Sequence, residues 1–168
     1  MSETQFRTGE HVIYKNNGIC RIEDIRILAF GDTKKEYYVL APLSGGTVYV
    51  PTEGALALKL KRVPTKEDVD DLIAQVEASE LKWIENSKLR IVAFDKLLAS
   101  SDRVAILWLA KVLSARKESE AEKNKRLCSN EERILTTAEK IITEEFAFAL
   151  NLNKNEVVPY ILSKISKA

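Results

Sequence analysis

The chain has a single histidine and only two cysteines among its 168 residues. His11 has no Cys, Ser or carboxylate partner placed in the sequence as a catalytic triad or a metal site requires. No GxGxxG, GxxxxGK[ST] or HExxH motif occurs. These absences predict that the protein is not an enzyme and that it binds no metal and no cofactor.

The cysteines and the apolar runs give an expectation about the compartment. Cys20 and Cys128 are too few and too far apart for a metal site or a disulfide framework, so both are expected to be small buried hydrophobes in a reducing cytoplasm. The first residues have no apolar core of the length of a signal peptide. The longest apolar run, Val104–Ala110, is too short to cross a bilayer. The sequence therefore predicts a soluble, cytoplasmic protein without membrane contact.

The charges are segregated along the chain, although the net charge is only +1. Residues 66–80 contain six acidic residues and one lysine, whereas residues 82–126 contain eleven Lys/Arg and six Asp/Glu. Trp83 stands where the sign changes. A flat aromatic ring at the start of a basic region suits contact with a base step and its phosphates, and it equally suits a hydrophobic core. Spacing alone leaves the two interpretations open.

The first sixty-odd residues carry short β-rich runs separated by glycine-containing turns. The runs are Val12–Tyr14, Ile19–Ile25, Tyr37–Leu40 and Thr47–Val50. Asn-Gly and Gly-Gly pairs between them permit the positive φ of tight turns, and Pro51 can end a strand. Four or five strands in so short a span predict a small antiparallel barrel of the SH3 or Tudor kind over residues 1–64.

The period changes after Pro64, and residues 65–168 predict an all-α domain of about five helices, which gives an α+β fold class. Thr65 with Asp68 resembles a capping box and opens a helix that ends near Ala78. Four more helices are expected: from about Leu81 to Leu98, from Ser101–Asp102, from a cap at Ser129 or Asn130, and from about Glu156 to Ile165. Pro159 is expected in the first turn of the last helix.

Side chains on these helices divide into core and surface candidates. Trp108 lies in an almost wholly apolar helix and is expected in the core. Trp83, taken as part of the second helix, falls about 65° from the centre of its apolar stripe, at the margin of the core. The acid pairs Glu131-Glu132 and Glu144-Glu145 are expected on solvated faces. Three cations precede the fourth helix, where they lie either beside a phosphate-binding N-terminus or in a solvated loop. They are Lys123, Lys125 and Arg126.

An ordered set of segments along nearly the whole chain resembles the CarD/CdnL family, whose first domain is shared with the transcription-repair coupling factor. The segments are residues 9–14, 17–19, 22–25, 35–40, 48–51, Trp83, residues 100–103 and residues 127–135. Each motif by itself is weak, whereas their order is specific. The chain resembles the stand-alone bacterial type within that family.

The resemblance implies a partner for each domain. The Tudor-like domain would dock on the β subunit of bacterial RNA polymerase. The helical domain would contact promoter DNA in the minor groove at the upstream edge of the transcription bubble, with little sequence preference, and stabilise the open complex. The protein is expected to act as a monomer.

The resemblance also points to particular residues. The DNA-contacting tryptophan of the family matches Trp83 and its basic partner matches Lys88, and the expected DNA-contacting set further includes Lys82, Arg90, Lys125 and Arg126. Glu85 and Asn86 replace family arginines, which should weaken phosphate contact there. The family arginines that contact polymerase fall on Leu28 and Tyr49. The expected polymerase-binding set is Arg26, Leu28, Val48, Tyr49 and Pro51, with Arg26 as a possible compensating cation on the same strand face as Leu28.

Two alternatives remain at this point. A protein–protein adaptor would use the Tudor-like module while the helices only support it. A hydrolase built on the acid pairs lacks any motif.

Overall fold

Two compact units make up the chain, one spanning Met1–Val63 and the other Pro64–Ala168. The computed structural model describes residues 5–100 and 102–165. The division between the units lies one residue before the domain boundary expected from the change of period. Each unit has its own hydrophobic core.

The N-terminal unit is one antiparallel sheet with the strand order β4-β3-β2-β1-β5. Its strands are β1 (His11–Tyr14), β2 (Ile19–Phe30), β3 (Thr33–Pro42), β4 (Val48–Pro51) and β5 (Leu60–Arg62). The α+β class and the small antiparallel domain are confirmed, whereas closure into a Tudor-like barrel stays a prediction. Pro51 is the last residue of β4, as expected.

A long hairpin formed by β2 and β3 dominates this sheet. Phe30 pairs with Thr33, so Gly31 and Asp32 form a two-residue turn. Gly31 has φ of 66°, a conformation that glycine adopts without strain. The register shifts between Ile22 and Asp24. Such a bulge bends a strand and increases its twist.

Within residues 64–100 and 102–165, the C-terminal unit contains five helices, as expected. They are α1 (Lys66–Glu77), α2 (Ser87–Ala99), α3 (Arg103–Glu122), α4 (Ser129–Leu150) and α5 (Lys154–Ile165). The almost wholly apolar helix is α3, and its Ile106, Leu109 and Leu113 are fully buried. Trp108 is also buried, as its apolar surroundings predict.

Side-chain caps fix where several helices begin. In α1, the Thr65 hydroxyl accepts from the Asp68 N–H at 3.2 Å and the Asp68 carboxylate accepts from the Thr65 N–H at 2.9 Å, which confirms the capping box. Asp102 caps α3 by accepting from the Val104 N–H at 3.0 Å. The expected cap of α4 at Ser129 or Asn130 is wrong by a residue or two, since Cys128 occupies the N-cap.

Helix α2 begins six residues later than predicted. The Asn86 side chain accepts from the Leu89 N–H at 3.0 Å and so starts the helix at Ser87. Residues 81–86 are not helical. Trp83 therefore lies in the segment before the helix, and the rotation of 100° per residue that was used to place it does not apply.

Two further predictions about single residues are wrong. Cys20 is buried as expected, but Cys128 is exposed because it caps a helix end rather than filling a core. Pro159 is the sixth residue of α5 and not part of its first turn. The ring removes the N–H that would bond to the carbonyl of Asn155, and that residue is exposed, so water can satisfy the carbonyl.

Candidate functional site

Trp83 is half-buried and joined to the core through an aromatic chain. Its ring meets Phe94 edge-on, with centroids 5.7 Å apart and planes at 69°. Phe94 in turn meets Trp108 at 5.6 Å and 89°. Edge-to-face pairs of this kind stabilise aromatic packing. The ring thus lies at the margin of the core, as expected, although tertiary packing rather than helical rotation places it there.

Arg90 lies over the Trp83 ring and is itself buried. Its guanidinium carbon is 4.4 Å from the ring centroid, within the range of a cation–π interaction. One terminal nitrogen donates to the Glu131 carboxylate at 2.6 Å, and the other donates to the carbonyls of Ile84 and Glu85 at 2.9 and 3.1 Å. The expected DNA contact by Arg90 is contradicted, because only 5% of the residue is exposed.

Arg116 is a second cation at the same ring, and the sequence pattern did not single it out. Its guanidinium carbon is 5.0 Å from the Trp83 centroid, and its Nε donates to Glu131 at 3.1 Å. Arg116 lies in α3, which continues to Glu122. The available signal was helical spacing, since Arg116 follows the buried Leu113 by three residues.

One member of each acid pair is buried, which contradicts the expected solvated faces. Glu131 and Glu145 are almost completely enclosed, whereas Glu132 and Glu144 keep solvent contact. Glu145 receives two bonds from Arg103, at 2.6 and 2.5 Å. Successive residues of a helix are rotated by about 100°, so neighbours in sequence face different surroundings. Buried carboxylates persist because each is paired with a guanidinium.

The remaining cations of the expected DNA-contacting set are all exposed. Lys82 adjoins Trp83 in sequence, and Lys88 lies in the first turn of α2. Lys125 and Arg126 lie just before α4. The first turn of α4 holds Glu131, which binds the two arginines at the Trp83 ring. The loop that carries Lys125 and Arg126 therefore leads directly into a helical turn that borders the Trp83 cluster, defined here as Trp83, Arg90, Arg116 and Glu131.

A cavity of about 270 Å³ lies elsewhere in the helical unit, among α1, α3, α4 and α5. Its lining is mainly aliphatic, with Ile73, Leu107, Ile142 and Ile161 among its members. Glu139 also lines it, and desolvation raises the pKa of that carboxyl group above its ordinary value. No residue of the Trp83 cluster belongs to this lining. The cavity is thus a separate feature of the packing of α5.

Within residues 5–100 and 102–165, no three His, Cys, Asp or Glu side chains gather as a metal site requires. In the same part of the chain, no helix combines the length and the apolar character needed to span a bilayer.

The sheet register of the N-terminal unit brings most of the expected polymerase-binding residues to one face. Arg26 pairs with Tyr37, which pairs with Pro51, so these three residues lie side by side across β2, β3 and β4. Residues two apart on a strand share a face, which adds Leu28 to Arg26 and Tyr49 to Pro51. This set is called the β2–β4 face below.

Val48 is the exception in that set. It alternates with Tyr49 and shares the opposite, inner face with Val50. Its side chain packs against the core of the sheet unit. The Val48 side chain thus lies on the opposite face from the other expected residues, and its polymerase contact stays a prediction for which its backbone on the edge strand is also available.

The N-terminal unit also matches a known family. Residues 6–63 match the family model described as the CarD-like/TRCF RID domain. The N-terminal unit is a CarD-like/TRCF RID domain. This family is one of RNA polymerase-interacting proteins. The match includes all five strands and ends at the boundary between the units.

The β2–β4 face of the RID domain combines exposed aromatic rings with a cation. Tyr49 is 48% exposed, and the guanidinium of Arg26 lies in solvent. Arg26 donates to Asp24 at 2.6 Å, and this bond lowers the pKa of the Asp24 carboxyl group. Phe30, on the same strand alternation, is also exposed and meets Tyr37 edge-on at 5.3 Å. Phe30 was not among the expected polymerase-binding residues, although it follows Leu28 by two residues and therefore lies on the same face of the strand.

Proposed function

We propose that the protein is a transcription regulator of the CarD/CdnL kind. The RID domain binds the β subunit of bacterial RNA polymerase, and the helical unit contacts promoter DNA at the upstream edge of the bubble and stabilises the open complex. The observation that carries the DNA part is the Trp83 cluster, in which a half-buried indole is held by two guanidinium groups. The family match supports the polymerase part.

The proposed contact is physically suited to the edge of melted DNA. Inserting an apolar wedge between base steps costs about a few kcal/mol in intact duplex. At a bubble edge, part of that cost has already been met by melting. Stacking of a base on an aromatic ring returns roughly 1–3 kcal/mol. A net gain of about 1.4 kcal/mol shifts the balance between open and closed complexes about tenfold, and no catalytic group is needed.

The anchoring of the ring favours such a contact. Trp83 is restrained by Phe94 on one side and by the guanidinium groups of Arg90 and Arg116. A side chain that is already ordered loses little conformational entropy on binding. The exposed Lys82, Lys88, Lys125 and Arg126 contribute sequence-independent attraction to phosphates. We propose Trp83 as the wedge and these four cations as its electrostatic support.

The polymerase contact is proposed at the β2–β4 face and the adjoining edge. Tyr49 is an exposed aromatic anchor, and Arg26 supplies a charged group beside it. Strand β4 ends the strand order of the sheet, so its outer backbone groups are available for pairing with a strand of the partner. This role needs no metal, no cofactor and no second copy of the chain.

Trp83→Ala in the full-length protein tests the proposal. We expect polymerase binding to be unchanged in a pull-down and the lifetime of the open complex to fall about tenfold, because the stacking energy is lost. Trp83→Phe should restore part of the lifetime, because it keeps an aromatic face. Urea denaturation of each variant verifies that the helical unit is folded. An unchanged lifetime in a folded, polymerase-bound Trp83→Ala protein would refute the DNA contact.

The adaptor alternative rests on the end of the family match at residue 63. In that case the helical unit would only support a docking module. The same experiment separates the two functions, because an adaptor retains both polymerase binding and open-complex lifetime when Trp83 is replaced.

A further inference from the structure

We infer that Arg116 is a second DNA-binding residue at Trp83, that it contacts a phosphate beside the base step that Trp83 enters, and that Glu131 orients it. The inference rests on the proposed DNA contact of the helical unit and names a residue on a different helix from those expected. Three observations support it: the side chain of Arg116 is partly exposed, two of its nitrogens have no acceptor within the described residues, and the cluster carries an excess positive charge.

Exposure distinguishes Arg116 from Arg90. Both guanidinium groups lie within 5.0 Å of the Trp83 centroid. The Arg116 side chain is 36% exposed, whereas that of Arg90 is 6% exposed. Arg90 is therefore enclosed, and Arg116 is the cation of the cluster that an outside ligand can reach.

Arg116 has donors left for a ligand. A guanidinium group carries five N–H donors in a planar fork. Nε is engaged with Glu131 at 3.1 Å. Among the residues that the structure describes, the two terminal nitrogens of Arg116 have no hydrogen-bond acceptor. Such a fork matches the geometry of phosphate oxygens and binds them in a bidentate manner.

The charges of the cluster do not balance. One Glu131 oxygen accepts from Arg90 at 2.6 Å and the other accepts from Arg116 at 3.1 Å. Two positive groups therefore share a single carboxylate, and one positive charge remains. Glu131 is 2% exposed, so its interaction with both arginines is only weakly screened by solvent. The surplus charge is accessible at Arg116, next to the ring, where an anion would neutralise it.

Arg116 also supplies a positive charge near Trp83, where the next residues along the chain supply none until Lys88. After Trp83 and Ile84 the chain has Glu85 and Asn86. The Asn86 side chain is used as the cap of α2. The guanidinium group of Arg116, from α3, lies 5.0 Å from the centroid of the Trp83 ring. Tertiary packing thus adds Arg116 to the cations that the sequence places near Trp83.

Arg116→Gln tests the inference, with Lys117→Gln as a matched control. Lys117 is the next residue of α3, has the same charge, and binds Glu132 at 2.7 Å outside the Trp83 cluster. The probe is a duplex with a single-stranded fork, bound by full-length protein in complex with polymerase over a range of salt concentrations. We expect Arg116→Gln to weaken DNA binding about tenfold and to reduce the slope of log K against log salt by about one. Lys117→Gln should have a clearly smaller effect on both.

Arg116→Lys separates a phosphate contact from a structural role. Lysine keeps the charge and loses the planar fork, so the salt slope should stay near that of the unsubstituted protein while part of the affinity is lost. A role limited to holding the indole would instead leave the salt slope of Arg116→Gln unchanged and would alter the Trp83 indole signal in NMR spectra of the free protein. That result would overturn the inference.

Trp83→Ala distinguishes the inference from the function on which it rests. If Trp83→Ala weakens fork binding and Arg116→Gln behaves like Lys117→Gln, the DNA contact stands and the role of Arg116 is refuted. If neither Trp83→Ala nor Arg116→Gln changes fork binding, both proposals fail together. Equal urea midpoints for the Arg116 and Lys117 variants exclude loss of folding as the cause of a difference.

Discussion

The buried guanidinium group of Arg90 connects the Trp83 ring to the carboxylate of Glu131: its carbon lies 4.4 Å from the ring centroid and its terminal nitrogen donates to Glu131 at 2.6 Å. The same side chain holds the carbonyls of Ile84 and Glu85. A non-helical segment with a half-buried aromatic ring is thereby fixed to the first turn of α4. Arg90 is a positioning residue for Trp83.

Removal of the Glu131 carboxylate should destabilise the protein strongly. Glu131→Ala leaves the buried Arg90 without its counter-charge, and breaking such a pair costs about 3–5 kcal/mol of unfolding free energy. The matched control is Glu132→Ala, whose pair with Lys117 is solvent-exposed and is worth about 0–1 kcal/mol. Urea denaturation measures both. Equal midpoints for the two variants would show that the buried pair adds no stability.

Loss of the α2 cap should affect Trp83, whereas loss of the α1 cap should not. Asn86→Ala and Thr65→Ala each remove one side-chain cap and should each cost about 0.5–2 kcal/mol. Only Asn86 lies beside the Trp83 segment. We expect a shift of the Trp83 indole signal in Asn86→Ala alone. A shift of the same size in Thr65→Ala would indicate a general loosening of the helical unit.

Polymerase binding should depend on which face of the sheet is altered. Tyr49→Ser removes an exposed ring from the β2–β4 face and should weaken binding to the β subunit by about 2 kcal/mol, the scale of an interface hot spot. Ile27 is 72% exposed and alternates with Arg26 and Leu28, so it faces the other side. Ile27→Ser is the control and should leave affinity unchanged. Titration calorimetry measures both affinities. If Ile27→Ser weakened binding and Tyr49→Ser did not, the docking surface would be the opposite face of the sheet.

Glu139 should make stability depend on pH. Desolvation raises the pKa of this carboxyl group above its ordinary value of 4.5. The folded state thus binds this proton more tightly than the unfolded state does. The free energy of unfolding therefore falls as the pH rises from the ordinary pKa through the raised pKa of the folded state, where the desolvated carboxyl group must ionise. Glu139→Gln should therefore raise the urea midpoint at neutral pH, and the difference should vanish below the ordinary pKa. A midpoint difference that persists in acid would assign the effect to packing instead.

The two cysteines should differ in reactivity. Burial raises the pKa of the Cys20 thiol to about 11, so little thiolate forms, whereas Cys128 is exposed. We expect a thiol reagent to label one cysteine in the native protein and both after denaturation, and mass spectrometry should locate the first label at Cys128. Labelling of Cys20 under native conditions would indicate local opening of the sheet.

Local chemistry made much of the fold readable from the sequence. The Thr65–Asp68 capping box and the start of the third helix at Asp102 are determined by neighbouring residues, and both appear in the structure. The hairpin turn at Gly31-Asp32 likewise follows from the conformational freedom of glycine. Such features depend on contacts within a few residues, so no knowledge of distant packing is required.

The start of α2 shows where that reasoning fails. The apolar spacing from Leu81 onward is compatible with a helix that begins at Leu81. In the structure the helix begins at Ser87, because Asn86 caps it and Arg90 donates to the carbonyls of Ile84 and Glu85. These bonds compete with helical hydrogen bonds. The sequence is compatible with a helix start at Leu81 or at Ser87. The long-range pair between Arg90 and Glu131 favours the start at Ser87.

By itself, the sequence determined the two structural classes and the order of the elements, because period, caps and turns are local properties. The tertiary structure also settled the surroundings of Trp83 and decided which charges lie beside it. It buried Arg90 and Glu131, brought Arg116 from another helix to the ring, and turned Val48 away from the β2–β4 face. Burial and pairing between helices depend on which faces meet in three dimensions, and composition or spacing along one chain does not specify those faces.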